Sequence, residues 1–384
     1  MSIFSIIVPI YCGIQYMESI LGQAEENRKR LGEEDQVELL FVNDNPSEPL
    51  PQGMDSGLVS VTVLNTDVNR GIHGARVRGL EQCKGEYVLF LDQDDKIAPD
   101  YFYSQVSCLG DHAGVVCQVI HEKKRYYNTE YPFERMMTKA YMLSKGSPII
   151  SPGQVLLRKE AISDIWKERI MTCNGADDLL LWLCMAAEGK SFALNNRILF
   201  EHVVQYDNTS WNSYNMLRSE AEMTDILINS GLFSAEDETK LENMLRNIRK
   251  KRLGNLDKFR KMFYILKDLS MAELEGNGIS EFLERKNLCS VAVYGCGYLG
   301  KYLLKVLEKG SVRVRYIIDQ NAAYLDPGYP AYTIENELED VDAVIVTLVQ
   351  DEQDIISRLK RKLRADVFTI KELAYGLEKE GEAW

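Results

Sequence analysis

Basic excess is the first thing this chain lacks. Its 45 Lys and Arg stand against 58 Asp and Glu, a net charge of −13. Nucleic-acid binders cluster cations for phosphate contacts, so nucleic acid is excluded as the main partner. Acidity spread along the chain speaks to solubility instead. Long apolar runs are also missing. A membrane-spanning helix needs roughly 18 apolar residues or more, and the longest candidate, Leu179 to Ala187, is about half that. Histidine is scarce, four residues in 384, and the eight cysteines contain no C-x-x-C pair. Zinc ribbons and thioredoxin-like motifs are thereby excluded. Cys117 and Cys184 sit inside apolar runs and read as small buried hydrophobes of a reducing cytoplasm. The opening MSIFSIIVPIY has no basic start, and a proline interrupts what would be the apolar core of a secretory signal. The expectation is a soluble, cytoplasmic protein.

What is present is alternation. Phe4–Val8, Val37–Val42, Leu58–Leu64 and Tyr87–Leu91 are short, nearly all-apolar runs, with helical patterns over Ile14–Leu31 and Ile72–Cys83. Strands apolar on both faces and separated by helices predict an α/β fold, a mostly parallel sheet flanked by helices. Ligands of such sheets bind at the carboxyl ends of the strands. Val115–Ile120 and Gln154–Leu157 read as further strands, and Asp177–Ala187 as a buried helix. Residues 121–147, rich in Tyr, Met, Lys and Arg, read as a long active-site or acceptor-side loop with some helix. From 213 to 286 the pattern is helical, with Leu241, Leu245, Ile248, Leu256, Phe259, Phe263 and Leu266 at helical spacing. Gly276-Asn277-Gly278 breaks it, and a second, smaller Rossmann-like α/β unit follows. The expected domains are therefore 1–212, a helical linker 213–286, and 287–384.

The sharpest chemical signal follows the fourth strand, in Leu91-Asp92-Gln93-Asp94-Asp95. Carboxylates this close repel and raise each other's pKa unless a cation sits among them. Mg²⁺ or Mn²⁺ would relieve the repulsion and also carry the phosphates of a nucleotide. A solvated acidic turn or a helix N-cap is the plain alternative. Asp44 ends the second strand on the same sheet edge, where a carboxylate accepts from a uracil N–H or a ribose hydroxyl; an Asx-turn is its plain alternative. Between them lies Asn69-Arg70-Gly71-Ile72-His73-Gly74-Ala75-Arg76. Glycines at a helix start let backbone approach a ligand, and Arg76 can reach a base or phosphate.

Residues 4–210 resemble the family 2 glycosyltransferases of the GT-A fold. The resemblance is carried by Val8-Pro9-Ile10-Tyr11, Val42-Asn43-Asp44, Asn69-x-Gly71, Ala75-Arg76-x-x-Gly79, Gly85-Glu86-Tyr87 and Phe90-Leu91-Asp92-Gln93-Asp94-Asp95. It implies a nucleotide-sugar donor, most often a UDP-sugar, a divalent metal and inversion at the anomeric carbon. It places Pro9, Tyr11, Asp44, Asn69, Gly71, Arg76 and Asp92 around the donor, with Asp44 on the base, Asp92 on ribose or metal and Asp94 on the metal. Cys12, Asn45-Pro46 and Val77 depart from the family's usual residues.

Inverting transfer needs a carboxylate to take the acceptor's proton. Gly175-Ala176-Asp177-Asp178 opens an apolar helix, where the helix dipole favours negative charge. By the family match Asp178 is the base and Asp177 its positioning partner, with Asp177 standing where the family usually has Glu. Plain N-capping is the alternative. His202, ahead of Tyr206-Asp207-Asn208-Thr209-Ser210, which resembles the family's loop over the diphosphate, is a candidate metal or phosphate ligand. His73, His112 and His121 take no role.

Tyr294-Gly295-Cys296-Gly297-Tyr298-Leu299-Gly300 reads as strand, G-x-G-x-x-G and helix, and Asp319 ends the next strand 24 residues after Gly295. That is the context of a dinucleotide site. No hydride-transfer constellation accompanies it, so an accessory module for ligand sensing or homo-oligomer assembly is expected. An empty crevice is the bland alternative. Residues 246–262 hold eight cations and one acid in a helical pattern. They read either as a solvated face or as peripheral contact with the inner face of a membrane. The expected enzyme is a glycosyltransferase of cell-surface polysaccharide or glycoconjugate synthesis with a glycan, lipid-linked or protein acceptor. Its rivals are a nucleotidyltransferase, disfavoured because Pro9–Gly13 has no cation, and a non-catalytic nucleotide-binding scaffold.

Overall fold

The computed structural model describes residues 2–54, 56–121, 124–126, 132–203, 212–325, 328–350 and 352–381. The chain divides into two compact units, 1–250 and 251–384. Among the described residues, no helix is long and apolar enough to cross a membrane.

The first unit opens with β1 (Ile3–Ile10), α1 (Met17–Arg30), β2 (Gln36–Asn43), β3 (Ser60–Asn65), α2 (Gly71–Gln82) and β4 (Tyr87–Phe90). β5 (Lys96–Ile97), α3 (Tyr101–Leu109), β6 (Gly114–His121) and β7 (Lys124–Tyr126) follow. Then come α4 (Phe133–Met136), α5 (Lys139–Lys145), β8 (Val155–Arg158), α6 (Asp164–Glu168), α7 (Asp177–Ala187), β9 (Phe192–His202) and α8 (Ser213–Ile228). The sheet order is β3-β2-β1-β4-β8-β6-β9-β5, with β7 on β6. β1, β2, β3 and β4 run parallel, whereas β8 is antiparallel to both β4 and β6. The sheet is therefore mixed.

Period-two alternation builds two cores. Phe4, Ile6, Val8 and Ile10 face one side with Phe41, Leu89 and Phe102. Ile7 faces the other with Val42, Phe90, Trp166 and Trp182. α7 is buried nearly all round, and Met223 and Leu227 of α8 join its core. The third strand starts at Ser60, two residues later than its apolar run. The strand before His202 reaches back to Phe192, through Asn195-Asn196-Arg197, which hide its apolar pattern.

α9 (Ala235–Leu274) is one 40-residue helix that begins in the first unit and ends in the second. The second unit continues with α10 (Ile279–Arg285), β10 (Ser290–Tyr294), α11 (Tyr298–Leu307), β11 (Arg313–Ile318) and β12 (Ala331–Tyr332). β13 (Ala343–Val346), α12 (Glu352–Lys362), β14 (Asp366–Thr369) and α13 (Ile370–Gly381) complete it. Its sheet, β12-β11-β10-β13-β14, is all parallel, and the strand order reverses direction beside β10.

Candidate active site

β1, β2 and β4 end on one edge of the sheet. Ile10 is in register with Asn43, and Ile7 with Phe90, so Tyr11, Asp44 and Asp92 leave the sheet side by side. Ile7 O accepts from Leu91 N, and Ile10 O from Asp44 N. Pro9 faces the β4 side beyond the end of that ladder, so its missing N–H leaves no pairing unmade. Gln93 clasps the exposed Tyr11 through its backbone, accepting from Tyr11 N at 3.0 Å and donating to Tyr11 O at 3.2 Å. Cys12, next in line, has φ of +50°, a left-handed conformation that Asn takes more easily than Cys.

Arg76 of α2 is the centre of the site. It is 3% exposed, and its guanidinium donates at 2.5 Å to Asp92 Oδ1 and at 2.5 Å to Asp177 Oδ2. One cation thus ties the end of β4 to the first turn of α7. Burial would pull its pKa down, but Asp177, Asp92 and Asp178 more than offset that and raise it. Its guanidinium is committed to carboxylates of this chain, and Nε is buried with no hydrogen-bond partner among the described residues. Asp178, half-buried beside Asp177, accepts from Leu179 N at 2.7 Å. Burial, then the Asp177 charge, push its carboxyl up to about 7, with Arg76 pulling the other way. The two neighbouring carboxyls thus differ in surroundings: Asp177 is paired with Arg76, whereas Asp178 has no ion pair among the described residues and is raised by burial.

Asp94 is half-buried, and burial followed by the Asp95 and Asp92 charges push it up to about 6. Asp95 is fully buried and spoken for: it accepts from Val203 N at 2.9 Å and Ser151 Oγ at 3.2 Å, and pairs with His202 Nδ1 at 2.9 Å. Burial alone would lower the His202 pKa, but the Asp95 bond and charge outweigh it and raise it. His202 Nδ1 is thus placed on Asp95. Among the described residues, no three His, Cys, Asp or Glu side chains close into a metal cage. A Mg²⁺ or Mn²⁺ ion in a nucleotide site needs only one or two carboxylates, with phosphates and water supplying the rest. Hard oxygen donors and an Asp94 destabilised by two like charges fit such an ion.

The start of α2 is capped by side chains from a distance. Arg70 N donates to Asp44 Oδ1 at 2.7 Å, Gly71 N to Asn69 Oδ1 at 2.9 Å, and Ile72 N to Asn174 Oδ1 at 3.0 Å. Asp44 is buried, and burial raises its pKa against the pull of the Arg70 and Gly71 amides. Gly71 is required, because φ is +76° and a Cβ would lie 2.5 Å from Asn174 Oδ1. The loop leading into α7 is pinned from two helices. Glu222 of α8 accepts from Thr172 N at 2.7 Å and Cys173 N at 2.8 Å, and Ser219 accepts from Ala176 N at 2.9 Å. His73 of α2 accepts from Met171 N at 2.9 Å and meets Trp166 O at 3.0 Å. Gln93, Asn174, Ser219 and Glu222 have no signature in the sequence; only the fold brings them here. Residues 206–210 lie outside the described residues.

In the second unit, Gly295 has φ of +94°, and a Cβ on Gly300 would lie 2.0 Å from Gly295 O. Both glycines are demanded by the backbone. A Cβ on Gly297, the cap of α11, would meet nothing. Asp319 accepts from Cys296 N at 2.9 Å and Asn321 N at 2.8 Å, so it closes onto the glycine loop.

Residues 5–166 match the family described as Glycosyl transferase family 2. Over 118 residues the chain is 27% identical to a putative glycosyltransferase, EpsH, of Bacillus subtilis, covering 29% of this chain and 32% of that protein. It is 23% identical over 308 residues to the minor teichoic acid biosynthesis protein GgaB of the same organism, covering 73% of this chain and 31% of GgaB. It thus spans about a third of the length of these relatives. Among solved structures, the mannosyltransferase PcManGT of Pyrobaculum calidifontis, in complex with GDP-Man and Mn²⁺, is similar at a TM-score of 0.44 and 16% identity, over 67% of this chain and 74% of that one. The match to glycosyl transferase family 2 covers the region that holds Asp44 at the end of β2 and the Arg76–Asp92 pair at the end of β4.

Proposed function

We propose that this chain moves a sugar from a nucleotide-sugar, a UDP-sugar in this reading, to an acceptor hydroxyl with inversion. The observation that carries it is the Asp92–Arg76–Asp177 bridge, which sets the Asp178 carboxyl beside the carboxylate cluster after β4. Asp44, Asn69, Gly71, Pro9 and Tyr11 border the donor. Asp178 accepts the proton from the acceptor hydroxyl as its oxygen bonds to the anomeric carbon. The bond from that carbon to the nucleotide diphosphate breaks on the opposite face. Asp177, held by Arg76, positions Asp178 and keeps its first turn in place. Asp94, with Asp92, would hold Mg²⁺ or Mn²⁺, whose chemistry when bound is to offset charge on the departing diphosphate.

The acceptor class is a glycan, lipid-linked or protein hydroxyl, and the product a cell-surface polysaccharide or glycoconjugate. The likeness to GgaB, a minor teichoic acid biosynthesis protein, supports this product class. The 287–384 region is an accessory module in this reading.

A thermal-shift series with nucleotide-sugars, each with and without Mn²⁺, tests the donor: a UDP-sugar that raises Tm only with metal is the expected result. Asp178→Asn should bind that donor normally and transfer about 10²- to 10⁴-fold more slowly. Unchanged transfer would move the base elsewhere.

A further inference from the structure

α9 is apolar on two opposite faces. Ile265, Leu269 and Ala272 are buried in the core of the second unit. Leu256, Phe259, Phe263, Tyr264, Met271 and Leu274 fall together on the other side at 100° per residue. Among the described residues that side is uncovered: Phe259 is 57% exposed, Phe263 64% and Leu274 82%. Scattered exposed hydrophobics need no explanation, but a row along one helix face does. The same helix holds a charge inversion. Residues 246–262 carry eight cations and one acid, leaving 37 cations and 57 acids, a net of −20, to the rest of the chain. At 100° per residue, Arg249, Arg252, Arg260 and Lys267 fall within or beside the exposed apolar row.

We propose that this face of α9 docks on an anionic lipid bilayer, lying in the interface with its apolar row against the acyl chains and its cations at the headgroups. Charge complementarity chooses this occupant. A second copy of the chain laid on the same face would set cations against cations. A nucleic acid would use the cations but leave two phenylalanines and a leucine in water. An anionic bilayer satisfies both parts of the pattern. The acidic remainder of the chain is repelled by such a surface, so contact is confined to this helix.

Co-sedimentation of the full chain with phosphatidylcholine vesicles, plain or containing about 30% phosphatidylglycerol, tests this. The protein should pellet with the anionic vesicles and stay in solution with the plain ones. Phe259→Ser/Phe263→Ser and Arg249→Gln/Arg252→Gln should each weaken binding at least about tenfold, with Tm unchanged. These positions are remote from the transfer chemistry in sequence, and no sugar donor enters the assay, so this outcome is independent of the proposed reaction. No pelleting, or pelleting indifferent to the phenylalanine pair, overturns the proposal. So does a concentration-dependent dimer in sedimentation velocity that the phenylalanine pair abolishes without any vesicle binding, which assigns the face to a second copy. Retention on RNA that the arginine pair abolishes, again without vesicle binding, likewise overturns it.

Discussion

Single residues divide here into those whose role is written in their type and those whose role is written in their surroundings. Asp92 and Asp94 draw the eye in sequence, because clustered carboxylates end an apolar strand there. Arg76 does not. Its type reads as a ligand-seeking cation, yet burial and two carboxylates make it an internal tie. The ionisation of the cluster predicts how stability follows pH. Asp94 at about 6, Asp178 at about 7 and a raised His202 all hold protons more tightly in the folded chain than in the unfolded one. Their stabilising contribution is complete below about pH 4 for the carboxyls and is lost as pH climbs through about 7. Urea unfolding of the metal-free protein should therefore show Asp94→Asn and Asp178→Asn gaining stability over the parent at pH 8 relative to pH 5. Equal differences at the two pH values would mean that neither carboxyl is strained by its neighbours.

Among the elements, the alternating apolar runs located β1, β2, β4, α2 and α7 well, since their burial is nearly complete and their periods unambiguous. β9 was harder to see because its polar middle bonds inward: Asn195 donates to Ser104 O at 3.1 Å. Placing 213–286 in a linker likewise left α8 without a task, although it reaches the loop before α7 through Glu222 and Ser219. These contacts join residues about 50 apart in sequence, and no local pattern foretells them. They predict an effect at a distance. Glu222→Ala leaves two loop amides without their acceptor and should cost about 1–3 kcal/mol of stability. It should also lower kcat more than it weakens donor binding, because the loop sets the first turn of α7. Gln at this position, which keeps an acceptor oxygen, should restore much of the rate. A variant with parental kcat would show that the loop needs no such brace.

Across the whole molecule, the sequence divides its chemistry unevenly. The family-like motifs are concentrated in the first hundred residues, the proposed proton acceptor comes only at Asp178, and the second unit contributes a glycine loop whose own acid, Asp319, already occupies one of its amides. The fold class of both units was legible because parallel strands are buried on both faces. The internal ties were not, because a guanidinium gives no sign in sequence of which carboxylates it will meet. One result of that arrangement concerns order of addition. Among the described residues, five carboxyls (Asp92, Asp94, Asp95, Asp177 and Asp178) have one guanidinium and one imidazole between them. A pyrophosphate arriving alone meets a group of carboxyls of its own sign. Initial-rate measurements should accordingly show compulsory sequence, divalent ion first and sugar nucleotide second, with free nucleotide a poor inhibitor until the ion is supplied; a random-order pattern would mean the cluster is less negative than its residues imply.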